Sequence, residues 1–294
     1  MATSSIPVDL RNPGQVFACL GLMEAAEILC GPTEGGFIWK DRETQVRFTL
    51  TAPGEDDPVL TVLRFLTQAE ALALAPSGSA LAAKEAGVPT QPFDPAGTYP
   101  CPAPTTPSAL PTQLIGPGGD KILLSSWADG SHVGRDTMKF WGGASGYSGA
   151  ALTRDALNLV RPLGGNSLAV TAADPFAFAR PQTSSFRFDW RRDYIPLDVG
   201  FSPNDHDKKV RMVGYPLVEL LAAIGLQHAR PLRLKKLTYR YGAWGAKVPT
   251  LFARALLGLG NPGFPIRSFT MHLGWPGQEG QARCIKDALE DTAP

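Results

Sequence analysis

The order of helix, strand and turn signals in the first 75 residues limits the fold most sharply. Ile6–Leu10 alternates apolar and polar residues and reads as a first strand. Asn12-Pro13 supplies a turn and a helix start, because proline at the first helical position loses no internal hydrogen bond. Val16, Phe17, Leu20, Met23, Ala26 and Ile28 then form an apolar stripe to about Cys30, where Gly31-Pro32 stops it. Gly36–Lys40 and Gln45–Thr51 alternate around the charged turn Asp41-Arg42-Glu43 and predict a hairpin. Asp57-Pro58 opens a second helix, carrying Val59, Leu60, Leu63, Phe65 and Leu66 to about Leu74. Strand, helix, hairpin, helix is most of a βαββαβ unit, the split arrangement shared by ferredoxin-like and RNA-recognition folds. The predicted class is α+β: a ferredoxin-like or RRM-like element with elaborations and a basic C-terminal half.

Residues 76–119 change character, with Pro100, Pro102, Pro104, Pro107 and Pro111 at short intervals. An exposed, extended excursion is expected at 97–113. Lys121–Trp127 is a strand candidate, Ala128–Arg135 a polar turn, and 150–160 a helix with Leu152, Ala156, Leu157 and Val160 inward. Ser167–Thr171 reads as a short strand. In 186–194, Phe186, Phe188, Trp190 and Tyr194 alternate with Arg187, Asp189, Arg191 and Arg192. Such a strand either turns its rings into the core or sets stacking rings beside phosphate contacts, and the pattern leaves both readings open. Pro216–Leu226 is a short apolar helix. Leu232, Leu234 and Leu237 alternate with Arg233, Lys235 and Lys236 and lead into Thr238–Tyr241, a strand with one basic edge. Val248–Leu257 reads as a helix, Phe264–Leu273 as a late strand, and the tail past Gly274 as polar and loosely specified. The expected organisation is an acidic N-terminal part, 1–160, with a basic part, 161–294, packed on it. One continuous domain is the alternative.

The chain has 294 residues, of which 44% are hydrophobic, enough for a substantial core. Its net charge of +1 hides an asymmetry: residues 1–150 hold 9 Lys/Arg against 15 Asp/Glu, and the rest hold 19 against 12. Between Lys208 and Arg267 there are eleven basic residues and one carboxylate, Glu219. That balance points to a polyanionic partner, with a solvated basic face as the plainer alternative. A second signal is KFWGGASGYSGAAL, residues 139–152, in which Lys139, Phe140 and Trp141 precede Gly142, Gly143, Gly146 and Gly149. Glycines before a helix start let a phosphate approach backbone N–H groups, and the cation and rings suit a nucleic-acid backbone and a base. A tight loop with Trp141 in the core is the structural alternative. The spacing matches neither GxxxxGK[ST] nor GxGxxG, so no nucleotide cofactor is expected. His132, His206, His228 and His272 lack partners at metal-ligand spacing, Asp205-His206-Asp207 reads as an ordinary loop, and Gly146-Tyr147-Ser148-Gly149 lacks the GxSxG spacing. No catalytic residue, metal or cofactor is expected. Cys19, Cys30, Cys101 and Cys284 are scattered and fit reduced thiols. No run of 18 uncharged apolar residues and no signal-peptide pattern is present, so a cytoplasmic protein without a membrane partner is expected. The candidate nucleic-acid-binding residues are Lys139, Trp141, Gly142, Gly143, Gly146, Arg191, Arg192, Lys208, Lys209, Arg233, Lys235, Lys236, Arg240 and Lys247.

Three blocks together carry a family resemblance. VDLRNPGQVFACLGLMEAAEIL at 8–29, DKILLSSWADG and MKFWGGASGYSGAAL within 120–152, and FDWRRDYIPLDVGFSPND with YPLVELLAAIGLQHARP within 188–231 resemble proteins of subtype I-U (I-G) CRISPR–Cas loci. The blocks cover about half the chain and all lie before residue 232. The resemblance implies a non-catalytic subunit of an RNA-guided, Cascade-like surveillance ribonucleoprotein in antiviral defence, of the small large-subunit-like or RAMP type. It would bind guide RNA, target DNA or both, beside CRISPR-associated backbone subunits and a separate helicase–nuclease. Where the family segment reads closer to KxWxGQQ, this chain has KFWGGAS, so contacts from those glutamines are not carried over. Two other readings compete: a guide-RNA-processing endoribonuclease with a histidine general base at His132 or His228, and a protein–protein scaffold whose basic face meets an acidic neighbour.

Overall fold

In the computed structural model the described residues are 1–39, 45–81, 87–101, 104, 107–125, 148–193, 212–260, 263–274 and 283–291. The chain begins β1 (Ala2–Val8), α1 (Pro13–Cys30), β2 (Glu34–Ile38), β3 (Val46–Ala52), α2 (Pro58–Gln68) and β4 (Glu70–Ala75). β5 (Thr90–Pro92), β6 (Thr112–Ile115) and β7 (Lys121–Leu124) follow, then α3 (Gly149–Val160), α4 (Gly165–Ala173), the two-residue β8 (Arg180–Pro181) and α5 (Trp190–Asp193). The last part holds β9 (Val213–Gly214), α6 (Pro216–Gly225), β10 (Leu232–Lys235), β11 (Thr238–Trp244), β12 (Val248–Pro249), α7 (Thr250–Leu257), β13 (Ile266–Gly274) and β14 (Cys284–Glu290).

The architecture is α+β, as expected. The first three strands take the antiparallel order β1-β3-β2, and β12 extends the sheet beyond β2. β4 leaves that sheet and joins β5, β6 and β7 in a second one, ordered β5-β4-β6-β7. A third sheet, β10-β11-β13-β14, is antiparallel throughout.

Helix α1 is the spine. The Asn12 side chain accepts the Gly14 N–H, Pro13 fills the first turn, and every residue from Pro13 to Ala26 is buried. Against it lies α6, all ten residues of which are buried. The two backbones touch: a Cβ at Gly21 would stand 1.8 Å from the Leu221 carbonyl oxygen, and one at Gly225 2.1 Å from that of Phe17. Only glycine permits that approach. One continuous core spreads from this pair, running from Ile6 to Ala288 and drawing on both the acidic and the basic parts of the chain.

Several expectations are corrected. α2 stops at Gln68, because Ala69 turns extended (φ −68°, ψ 148°) and Glu70–Ala75 continues as β4. Ser167–Thr171 lies in helix α4, whose first turn is closed by the Ser167 hydroxyl, which accepts the Gly164 N–H and donates to its carbonyl. Segment 186–193 is not a strand. Arg187 has a left-handed φ of 65°, and Trp190 opens the short α5. The end of the proline-rich excursion is packed: Ala109, Leu110 and Thr112 are fully buried, and Tyr99 donates to the Leu74 carbonyl. The tail contains β14, which closes the third sheet.

Candidate nucleic-acid interface

Of the residues expected to meet nucleic acid, Lys139, Trp141, Gly142, Gly143, Gly146, Lys208 and Lys209 lie outside the described residues. The helix start that the glycine segment leads into is described, and it does not suit a phosphate. Ser148 caps α3 by accepting the Ala151 N–H, and Gly149, Ala150 and Ala151 are buried. Those first-turn amides face protein rather than solvent.

Arg191 and Arg192 serve the interior instead. Arg191 bonds Asp189 through Nε and Nη2, donates to the Phe176 carbonyl, and lies 3.4 Å above the Tyr215 ring. Asp189 is wholly buried and also accepts the Asn12 side-chain N–H. Arg192 is 3% exposed and donates to the Gln182 and Thr183 carbonyls. Phe186 and Phe188 stack with ring centroids 5.8 Å apart inside the core, so these two rings turn inward, while Tyr194 lies outside the described residues. A Cβ at Gly14 would stand 2.4 Å from the Phe188 carbonyl oxygen, so this segment is wedged directly against the start of α1.

The one carboxylate of the basic run, Glu219, completes that wedge. It is fully buried and accepts the backbone N–H groups of Phe188 and Asp189. Burial pushes its pKa up to about 7, outweighing the two N–H bonds and Arg192, which favour the charged form; Asp189 pushes it in the same direction as burial. Beside the wedge opens a cleft of about 570 Å³ whose lining includes Asp9, Gln15, Arg47, Asp174, Phe176 and Arg191. Two arginines and two aspartates balance there, so the cleft offers a polyanion no net positive field.

The remaining cations divide into two groups. Arg240 pairs with Asp291 at 2.9 Å, Arg254 with Glu24 at 2.6 Å, and Arg267 with Glu290 at 2.7 Å. Lys247 is exposed and donates to the Thr51 hydroxyl. Arg233, Lys235 and Lys236, by contrast, lie in a stretch, 232–236, that is exposed at every position. The cause is geometric. Among the described residues β10 is an edge strand that pairs only with β11, its register breaks between Arg233 and Lys235, and Leu237 (φ 64°) turns the chain back. Leu232 and Leu234 therefore remain 45% and 42% exposed on an arm that stands off the core.

Just upstream, Gln227 accepts the Ser125 N–H at 2.6 Å and donates to its hydroxyl at 2.5 Å. The chain thus leaves for residue 126 from a point tied to the approach to β10. Exposed Arg230 extends the basic row toward it. Neither Arg230 nor this tie was among the expected features; the run of cations without acids was the only signal. Partial burial, with Arg254, draws the His228 pKa below the usual histidine value despite Glu24. Among the described residues no group of three His, Cys, Asp or Glu is placed to hold a metal. No family model matches the chain, and no curated protein or solved structure matches it.

Proposed function

We propose that this chain is a non-catalytic nucleic-acid-binding subunit whose described contact surface is built on β10. One observation carries the reading: the single carboxylate of a sixty-residue basic run is buried, while Arg233, Lys235 and Lys236 stand in solvent. Carboxylates from elsewhere hold Arg240, Arg254 and Arg267, and Arg233, Lys235 and Lys236 are exposed. A four-residue edge strand carrying Arg233 and Lys235 discourages pairing with a partner's strand, which favours a polyanion over a protein scaffold. The likeness of the three sequence blocks to subtype I-U proteins supports an RNA-guided surveillance complex as the setting, with guide RNA or target DNA as ligand.

The test is a salt titration of binding to a DNA duplex. Arg233→Ala, Lys235→Ala and Lys236→Ala together should flatten the slope of log K against log salt by about two to three, since each lost phosphate contact removes about 0.9. The melting temperature should stay unchanged, because all three side chains are exposed. An unaltered slope would assign the row to another role.

A further inference from the structure

We infer that β10 grips the phosphate backbone of a duplex and reads no base sequence, an inference that rests on the nucleic-acid reading above. Sequence readout needs groups that match base edges: Asn or Gln for adenine, Glu or Asp for cytosine, and Arg or Lys for guanine, so guanine is the one base that exposed cations could read. From Arg230 to Lys247 the chain has no Asn, Gln, Asp, Glu, Ser or His, and its one threonine, Thr238, is 6% exposed. Single-strand binding without sequence preference needs rings on which bases stack. The Tyr, Trp and Phe rings of the third sheet are withheld: Tyr239 is 3% exposed, and Tyr241, Trp244 and Phe269 are fully buried, while the part-exposed His272 ring is held by Asp287 at 2.6 Å. Tyr241 and Phe269 stack on each other instead, with centroids 5.3 Å apart, and the Tyr241 hydroxyl donates to the Leu10 carbonyl. What solvent meets on β10 is cations alternating with Leu232 and Leu234, and aliphatic side chains make no hydrogen bond to a base. The attraction is thus chiefly one of charge. A duplex carries one charge per ~1.7 Å of axis, against ~3.4 Å for one of its strands, so charge alone favours the duplex.

The experiment compares full-length protein with the Arg233→Ala, Lys235→Ala, Lys236→Ala triple variant and reads the difference between them. The probes are an A·T-rich duplex, a G·C-rich duplex, the separate strands of each at equal length, and inorganic polyphosphate as competitor. The expected result is a loss on substitution that agrees within about twofold between the two duplexes, as backbone contacts carry no sequence information. The loss should be smaller on every single strand, and polyphosphate should displace both duplexes from the unsubstituted protein. A substitution-sensitive preference of roughly tenfold for the G·C-rich duplex would reveal an arginine forked on guanine and overturn the inference. So would a larger loss on single strands than on duplexes. Either outcome leaves β10 a nucleic-acid contact, whereas equal binding of all probes by both proteins removes the proposed function from this strand and the inference with it.

Discussion

Glu219 sits in the middle of the most basic stretch of the chain yet meets no solvent, and its position has a thermodynamic signature. Its carboxylate receives two backbone N–H groups, but burial still lifts its pKa from 4.5 to about 7. Between those values the folded protein holds a proton that the unfolded chain has released. Stability from this group is therefore complete below about pH 4.5 and is lost as pH rises through about 7, at up to about 1.4 kcal/mol per pH unit. Glu219→Gln should flatten the melting-temperature profile between pH 5 and 8. If the variant keeps the wild-type slope over that range, the titration belongs to another group. Arg191 and Arg192 make a related point about reading charge. Asp189 lies two residues before Arg191, and the alternation of rings and cations in FRFDWRR gives no sign that Arg191 pairs with a buried aspartate or that Arg192 is itself buried. A left-handed residue at Arg187 breaks the period on which the stacking reading depended.

At the scale of elements, the pairing of α1 with α6 sets the geometry of everything attached to them. A methyl group at Gly225 would meet the Phe17 carbonyl oxygen at 2.1 Å, and that backbone atom has no rotamer by which to yield. Gly225→Ala should push the helices apart and cost about 1–3 kcal/mol, as overpacking of a tight core does. Thermal or denaturant unfolding measures it, and a loss below about 0.5 kcal/mol would show that the pair gives way easily. The ends of α1 were legible because caps are local: Asn12-Pro13 and Gly31 act within a few residues of where they stand. The two helices were also visible as apolar runs, but their contact was not, since it joins residues some two hundred apart. α4 was misread because Val170 and Thr171 favour strands, while a serine hydroxyl three residues into the segment decides for helix. β14 escaped notice because Cys284, Ile285 and Ala288 are its only buried residues, too few to make a clear alternation. β10 was legible as a basic edge, but its exposure on both faces is a property of the turn at Leu237 and the register break beside it.

For the whole molecule, the proline-rich excursion separates into two regimes. Residues 94–98 are exposed throughout, whereas Ala109, Leu110 and Thr112 are fully buried. Brief digestion of the isolated protein with a broad-specificity protease should cut within 94–98 before it cuts within 107–112. First cleavage at 107–112 would show that the packing there opens readily. The rest of the protein hangs on one helix pair, and that pair has a history in time as well as a shape. α1 passes by length and composition for a membrane span, with a mean hydropathy of 1.2, and in the finished protein 78% of that span is buried. Its partner α6 begins at Pro216, so a ribosome adding about 5–20 residues per second needs roughly 10–40 s to deliver it after α1 emerges. Throughout that interval this long apolar helix lacks the neighbour that covers it. The half-made chain, rather than the completed molecule, is the form that aggregation or a lipid surface can capture, and the spacing of two glycine-matched helices along the message sets how long it is at risk.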